Sequence, residues 1–173
     1  YDEAKREAEK ISDAIAPYVS VPDAHPILIL ADSIIAFLGG RNDQVEAKLR
    51  RVHEHSDPWV SALGLFLEAN LRENEGNLVA AEHLFEAARE AFDVIGDRWG
   101  RGATLTSLAS IKATRGDHRG AIAALEEARA LLDDLNGLDD LPRILLWLAL
   151  AWARLGDFAR AQHYLDVSMA QVE

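Results

Sequence analysis

The stretch that decides the fold covers residues 57–97 and has the sequence DPWVSALGLFLEANLRENEGNLVAAEHLFEAAREAFDVIGD. Its start and its central turn recur forty residues further on, since Asp57 corresponds to Asp97, and Gly76 to Gly116 and then Gly156. A fixed period of roughly 20 to 50 residues is the signature of a solenoid, in which one supersecondary unit is repeated and stacked. The stretch therefore predicts a repeat protein.

Small and bulky residues recur at the same step between these markers. The repeated positions are a small residue on the first helix of each unit, a small residue early on the second, and a bulky residue four positions later: Ala69, Ala109, Ala149; Ala81, Ala121, Ala161; Phe85, Leu125, Leu165. Small residues let two helix backbones approach closely, and the bulky residue fills the gap to the next pair. Each pair leaves one face uncovered, so stability must come from stacked neighbours.

The composition favours helices throughout, because Ala and Leu supply most of an apolar fraction of 49%. We expect one all-α domain over residues 1–173, a right-handed α-α superhelix of about nine antiparallel helices with a 40-residue repeat. Residues 1–56 are predicted to be degenerate repeats, and 57–96, 97–136 and 137–173 clear ones. The chain starts at Tyr1 without an initiator Met or a signal-peptide pattern, so we expect it to be a fragment of a longer protein.

The repeated positions resemble those of tetratricopeptide repeats. The resemblance rests on the small and bulky positions given above, on the turn between the helices, and on a small residue three positions after the bulky one: Gly76-Asn77, Gly116-Asp117, Gly156-Asp157; Ala88, Ala128, Ser168. It covers residues 57–173 well and 1–56 weakly, where Arg41 stands in place of the small residue. The period is forty residues rather than the family's usual thirty-four or so, so helices or connectors are longer.

Two phrases at repeat starts, Asp57–Val60 and Gly96–Gly100, resemble the C-terminal repeat regions of bacterial transcriptional regulators of the AfsR/SARP or MalT/LuxR type from actinobacteria. In those regulators the DNA-binding domain lies elsewhere, and the repeats bind a partner or an effector. The resemblance implies a module that binds a protein, a peptide or a small effector; the lack of cysteine fits a cytoplasmic setting, and the lack of a catalytic motif predicts a non-catalytic role. The alternative is a free-standing adaptor that assembles a protein complex and has no link to DNA.

Composition and motifs argue against several other functions. The net charge of −11 repels phosphate, so we expect no direct contact between this segment and nucleic acid. Cysteine is absent, and no apolar run approaches the roughly 18 residues of a membrane span. The six histidines form no HExxH motif, and the glycines form no phosphate-binding loop. We therefore predict no catalytic residue, no metal site and no cofactor.

Candidate binding residues lie on the first helix of each pair, because these helices line the inner groove in tetratricopeptide arrays. By register the polar and charged residues that face this groove are Asn70, Glu73, Asn74, Thr106, Ser110, Thr114, Arg143 and Arg154, with Ala113 and Leu150 among the apolar ones. Amide and hydroxyl groups can bond a peptide backbone, and arginine can grip a carboxylate. The alternative is an ordinary solvated groove with no ligand.

The tryptophans and the last helix give two further expectations. Trp59 and Trp99 share one repeat position, which favours an inter-repeat wedge over ligand stacking. Trp147 and Trp152 lie five residues apart on one helix, so one is expected to face the core, and the orientation of the other is not predicted. The last helix is unusually apolar for a terminal cap, which predicts self-association or a further repeat; its apolar residues are Phe158, Tyr164, Leu165 and Met169.

Overall fold

The computed structural model describes residues 2–21, 24–39, 41–53, 55–133 and 141–170. Over these ranges the chain forms nine α-helices and no strand, which confirms the expected all-α class. The helices are α1 (Asp2–Val19), α2 (Pro26–Leu38), α3 (Asn42–His53), α4 (Pro58–Asn74), α5 (Leu78–Ile95), α6 (Arg98–Thr114), α7 (His118–Asp133), α8 (Leu141–Arg154) and α9 (Phe158–Ala170). No helix in the described ranges has the length and apolar character needed to cross a membrane.

The helices form two compact units, with the boundary inside α5. Unit 1 is Tyr1–Ala87 and unit 2 is Ala88–Glu173. In unit 1, α2 packs against α1, α3 and α4, and α3 also packs against α4. In unit 2, each helix from α6 to α9 packs against the next one along the chain. The single domain and its repeat boundaries stay predictions, and residues 137–140, the expected start of the last repeat, lie outside the described residues.

Each repeat turn ends its first helix in the same way. Gly76, Gly116 and Gly156 have φ angles of 79°, 83° and 80°, in the left-handed region that glycine adopts without a steric penalty. The next residue donates its backbone N–H to a carbonyl five positions back, as Asp117 does to Lys112 at 2.9 Å. The same Asp117 then caps α7, because its carboxylate accepts the N–H of Gly120 at 2.9 Å.

Replacing Gly116 with alanine should lower the free energy of unfolding by about 1–2 kcal/mol, because a Cβ atom is disfavoured in the left-handed region. Gly116→Asn is the matched control and should lose less, since asparagine tolerates this conformation. Urea denaturation of both variants measures the difference. If Gly116→Ala is as stable as the parent chain, the left-handed turn is contradicted.

The repeated positions of the sequence form much of the interior. Eight of the nine small and bulky positions are buried, and Leu165 on α9 is half-buried. The core of unit 2 consists of Leu105, Ala109, Ala121, Ile122, Ala124, Leu125, Ala128, Leu132, Ile144, Leu148 and Ala151. A core cluster of unit 1 consists of Ala36, Val45, Leu49 and Leu71. Stacked helix pairs of this kind bury faces that a single pair would expose.

The last helix keeps part of its apolar surface exposed. Phe158 and Met169 are 72% and 69% exposed. Tyr164 differs, because it packs against the core of unit 2 and its hydroxyl hydrogen-bonds the Glu126 carboxylate. Self-association through α9 stays a prediction.

Candidate functional site

A cavity of about 630 Å³ opens in unit 2 between α6, the start of α7 and α8. Its lining residues are Ala109, Ser110, Ala113, Thr114, Gly116, His118, Ala121, Leu125, Trp147, Leu150, Ala151 and Arg154. Five of them are alanine or glycine on the facing helices and their turn, so the helices leave room between them. The volume lies within the range of roughly 300–1,000 Å³ that is typical of ligand pockets.

One part of the wall is apolar and includes an aromatic ring. Leu125 is buried, Trp147 is half-buried and packs against the core of unit 2, and Leu150 is 56% exposed. An exposed leucine beside an indole offers a ligand apolar surface that water now covers. Covering such surface is favourable by about 25 cal/mol per Å².

The other part of the wall is polar. Thr114 donates its hydroxyl hydrogen to the backbone carbonyl of Ser110 at 3.0 Å, which leaves the threonine oxygen as an acceptor. Nδ1 of His118 is shut off from solvent and has no hydrogen-bond partner among the described residues. Arg154 is exposed and forms no ion pair within the part of the chain that the structure describes.

The charge of the cavity is opposite in sign to that of the chain. The whole sequence has 29 acidic residues against 18 Lys and Arg. Yet no Asp or Glu appears among the described residues that line the cavity, whereas Arg154 does. A guanidinium without a local carboxylate is an anion-binding group, and it can form two parallel hydrogen bonds with one carboxylate. The cavity therefore suits a ligand with an apolar part and a negative charge.

The structure brings three of the predicted site residues together in this cavity: Ser110, Thr114 and Arg154. Arg143 lies beside it, with its guanidinium carbon 5.6 Å from the ring centroid of Trp147. Thr106 lies in the interior at 3% exposure, and its hydroxyl donates to the Gly102 carbonyl at 2.9 Å. Because Thr106 is buried and does not line the cavity, its hydroxyl cannot contact a ligand there.

The remaining predicted residues belong to unit 1, at the end of α4. Asn70 is half-buried and donates its side-chain amide to the Phe66 carbonyl at 2.7 Å. Glu73 is half-buried and Asn74 is exposed. None of the three lines the unit 2 cavity, so they are not part of the site that Ser110, Thr114 and Arg154 share.

Unit 1 has a smaller cavity of about 220 Å³ with a different chemistry. Its lining residues are Glu46, Leu49, His53, Glu68 and Arg72. Arg72 lies 2.8 Å from Glu46, 3.4 Å from Glu68 and 3.0 Å from Glu75. Hydrogen bonds to Glu46 and then to Glu75 raise the pKa of Arg72 above its ordinary value. This arginine is already neutralised by its neighbours, so the smaller cavity is a weaker anion site than the one in unit 2.

The side chains that line the unit 2 cavity do not form a recognisable catalytic triad. Ser110 and His118 line the same cavity, but no acidic side chain accompanies them there to orient the imidazole. Over the described ranges, no three His, Asp or Glu side chains converge to hold a metal ion. Hydrogen bonding, apolar burial and charge pairing are what these side chains offer.

The sequence analysis did not predict His118 as a cavity residue, and it did not decide whether Trp147 or Trp152 faces the core. Trp147, Leu150 and Arg154 follow each other at three and four residues, which places all three on one face of α8. That spacing was the available signal, because Leu150 and Arg154 were already expected to face the groove. His118 follows the capping Asp117, and its position at the cavity depends on how α6 and α7 pack.

Comparison with known proteins identifies the fold. No protein-family model and no curated protein sequence matches the chain. The solved structure of BtubC (BKLC) from P. vanneervenii has a TM-score of 0.78 and 18% identity, over 96% of this chain and 72% of BtubC. Aspartyl phosphate phosphatase F from Bacillus subtilis has a TM-score of 0.77 and 18% identity, over 84% of this chain and 39% of the phosphatase. MamA has a TM-score of 0.66 and 17% identity, over 98% of this chain and 87% of MamA.

These three structures are helical repeat proteins of the tetratricopeptide type. The chain therefore has a tetratricopeptide-like helical repeat fold, as its repeated positions predicted. At identities of 17% and 18% the likeness defines the fold alone. None of the three is named as a transcriptional regulator, so that resemblance stays a prediction.

Proposed function

We propose that the chain is a non-catalytic protein-interaction module, and that it binds a peptide segment of its partner in the unit 2 cavity. The observation that supports this most directly is the cavity itself, which combines exposed apolar surface with an arginine that has no local carboxylate. The residues that bind are Ser110, Thr114 and Arg154, together with Trp147 and Leu150. The tetratricopeptide-like fold is consistent with such a role, because helical repeats present extended concave surfaces.

The polar groups suit an extended peptide backbone. The Thr114 hydroxyl already donates to the Ser110 carbonyl, so its oxygen can accept a peptide N–H. The Ser110 hydroxyl, one turn earlier on α6, can donate or accept. Side chains on one side of an extended peptide would then enter the cavity, because alternate residues point to the same side.

Filling the cavity should remove binding without unfolding the chain. Peptides selected from a random display library on the full chain would be titrated against Ala113→Leu by fluorescence anisotropy. Ala113 lines the cavity and is half-buried, so the added side chain should occupy ligand space and weaken binding at least about tenfold. The matched control is Ala123→Leu, an exposed position on α7 that does not line the cavity. Equal affinity for both variants would place the binding site elsewhere.

We further propose that this module belongs to a bacterial transcriptional regulator and works in the cytoplasm. The support is the pair of repeat-start phrases Asp57–Val60 and Gly96–Gly100, which resemble those of AfsR/SARP and MalT/LuxR regulators. The mass and full sequence of the natural gene product test this proposal. A DNA-binding segment is expected, whereas a product that contains only helical repeats would favour the adaptor.

A further inference from the structure

We infer that the peptide segment bound in the unit 2 cavity carries an acidic side chain two residues away from a large apolar one, and that Arg154 selects the acid. This inference rests on the proposed function and names the chemistry of the partner. The acid is a side chain within the segment, so neither end of the peptide needs to be free.

The charge distribution of the cavity supports an acidic ligand group at Arg154. Arg154 is exposed and unpaired within the described part of the chain, and no carboxylate among the described residues lines the cavity. One arginine matches one carboxylate, whereas a highly charged anion would be repelled by the rest of the chain.

The apolar wall supports a large apolar side chain beside that acid. Leu150 and Arg154 lie four residues apart on α8, so they are neighbours on the same helix face. Trp147 lies one turn before Leu150 on that face. In an extended segment whose carboxylate meets Arg154, the side chain two positions away therefore lies against Leu150 and Trp147. The cavity of about 630 Å³ has room for an aromatic or long aliphatic group there.

Charge reversal at Arg154 tests the inference. Random 12-residue peptides would be displayed within a coat-protein loop, so that both ends are covered, and selected on the full chain and on Arg154→Glu. The parent chain should enrich Asp or Glu two positions away from Trp, Phe or Leu. The variant should lose this acidic preference and enrich Lys or Arg at the same spacing from these apolar residues. Arg119→Glu, an exposed position on α7 outside the cavity, is the control and should keep the acidic preference.

Synthetic peptides with blocked ends then give the affinities. Replacing the peptide's acid by its amide should weaken binding to the parent chain about tenfold or more and leave binding to Arg154→Glu unchanged or stronger. The selected peptides could bind Ala113→Leu weakly and yet contain acidic residues equally often after selection on the parent chain and on Arg154→Glu. That result would overturn this inference and leave the proposed function standing. If no selected peptide is sensitive to Ala113→Leu, both are overturned.

Discussion

Replacing Phe92 with alanine is expected to lower the free energy of unfolding by about 3–5 kcal/mol, as is typical of a fully buried phenylalanine. Phe92 is 0% exposed near the end of α5, within unit 2. Its ring lies against Gly100 of α6, where a Cβ atom would be only 2.4 Å from the ring carbon Cδ1. Because glycine has no side chain that could move into the space, the lost ring should leave a cavity.

Urea denaturation of the full chain measures this effect, with Val94→Ala as the matched control. Val94 lies on the same helix but is 87% exposed, so its truncation should change stability by less than about 0.5 kcal/mol. A loss below about 1 kcal/mol for Phe92→Ala would mean that α5 and α6 do not pack through this ring.

Replacing Lys48 with methionine is expected to destabilise the chain by about 3 kcal/mol, through a buried ion pair in unit 1. Asp32 on α2 is 6% exposed and pairs with Lys48 on α3. Ser12 on α1 donates its hydroxyl to the same carboxylate at 3.3 Å. Without Lys48 the carboxylate keeps only this serine among its described partners, and breaking a buried pair costs about 3–5 kcal/mol. The Lys48 side chain is 22% exposed, which favours the lower end.

A double substitution separates the ion pair from simple loss of packing. Lys48→Met combined with Asp32→Leu should recover most of the stability, because an apolar pair of similar volume often replaces a buried ion pair at little cost. Lys10→Met is the control, since Lys10 is 71% exposed and pairs only across the surface with Glu7. If the double variant is no more stable than Lys48→Met alone, the loss does not come from an unpaired Asp32.

The periodic features of this fold were predictable from sequence because each depends on a local rule. A glycine with positive φ ends α4, α6 and α8, and an Asn or Asp then caps the next helix. The small residues face neighbouring helices, as their forty-residue step indicated, and Ala109 and Ala121 lie in the core of unit 2. Turn chemistry and packing size leave a direct trace in the sequence.

The residues that line the cavity were less predictable, because neighbouring helices cover some turns of a helix face and leave others open. Thr106 and Ser110 are four residues apart on α6, yet Thr106 is buried and Ser110 lines the cavity. A polar residue on a helix has the same sequence signal whether it bonds its own backbone or a ligand. Trp147 and His118 line a cavity that three helices form together. The periodicity of one helix does not indicate how three helices pack.

The most direct test of the proposed site uses the four tryptophans of the chain. One peptide selected on the parent chain would be titrated into the ¹⁵N-labelled protein, and the indole N–H signals would be followed by NMR after assignment by Trp→Phe substitution. Trp147 lines the unit 2 cavity, whereas Trp59 and Trp99 do not and are 36% and 45% exposed. The proposed site predicts a large shift of the Trp147 signal and no shift of Trp59 or Trp99. A constant Trp147 signal beside a moving Trp59 or Trp99 signal would contradict it.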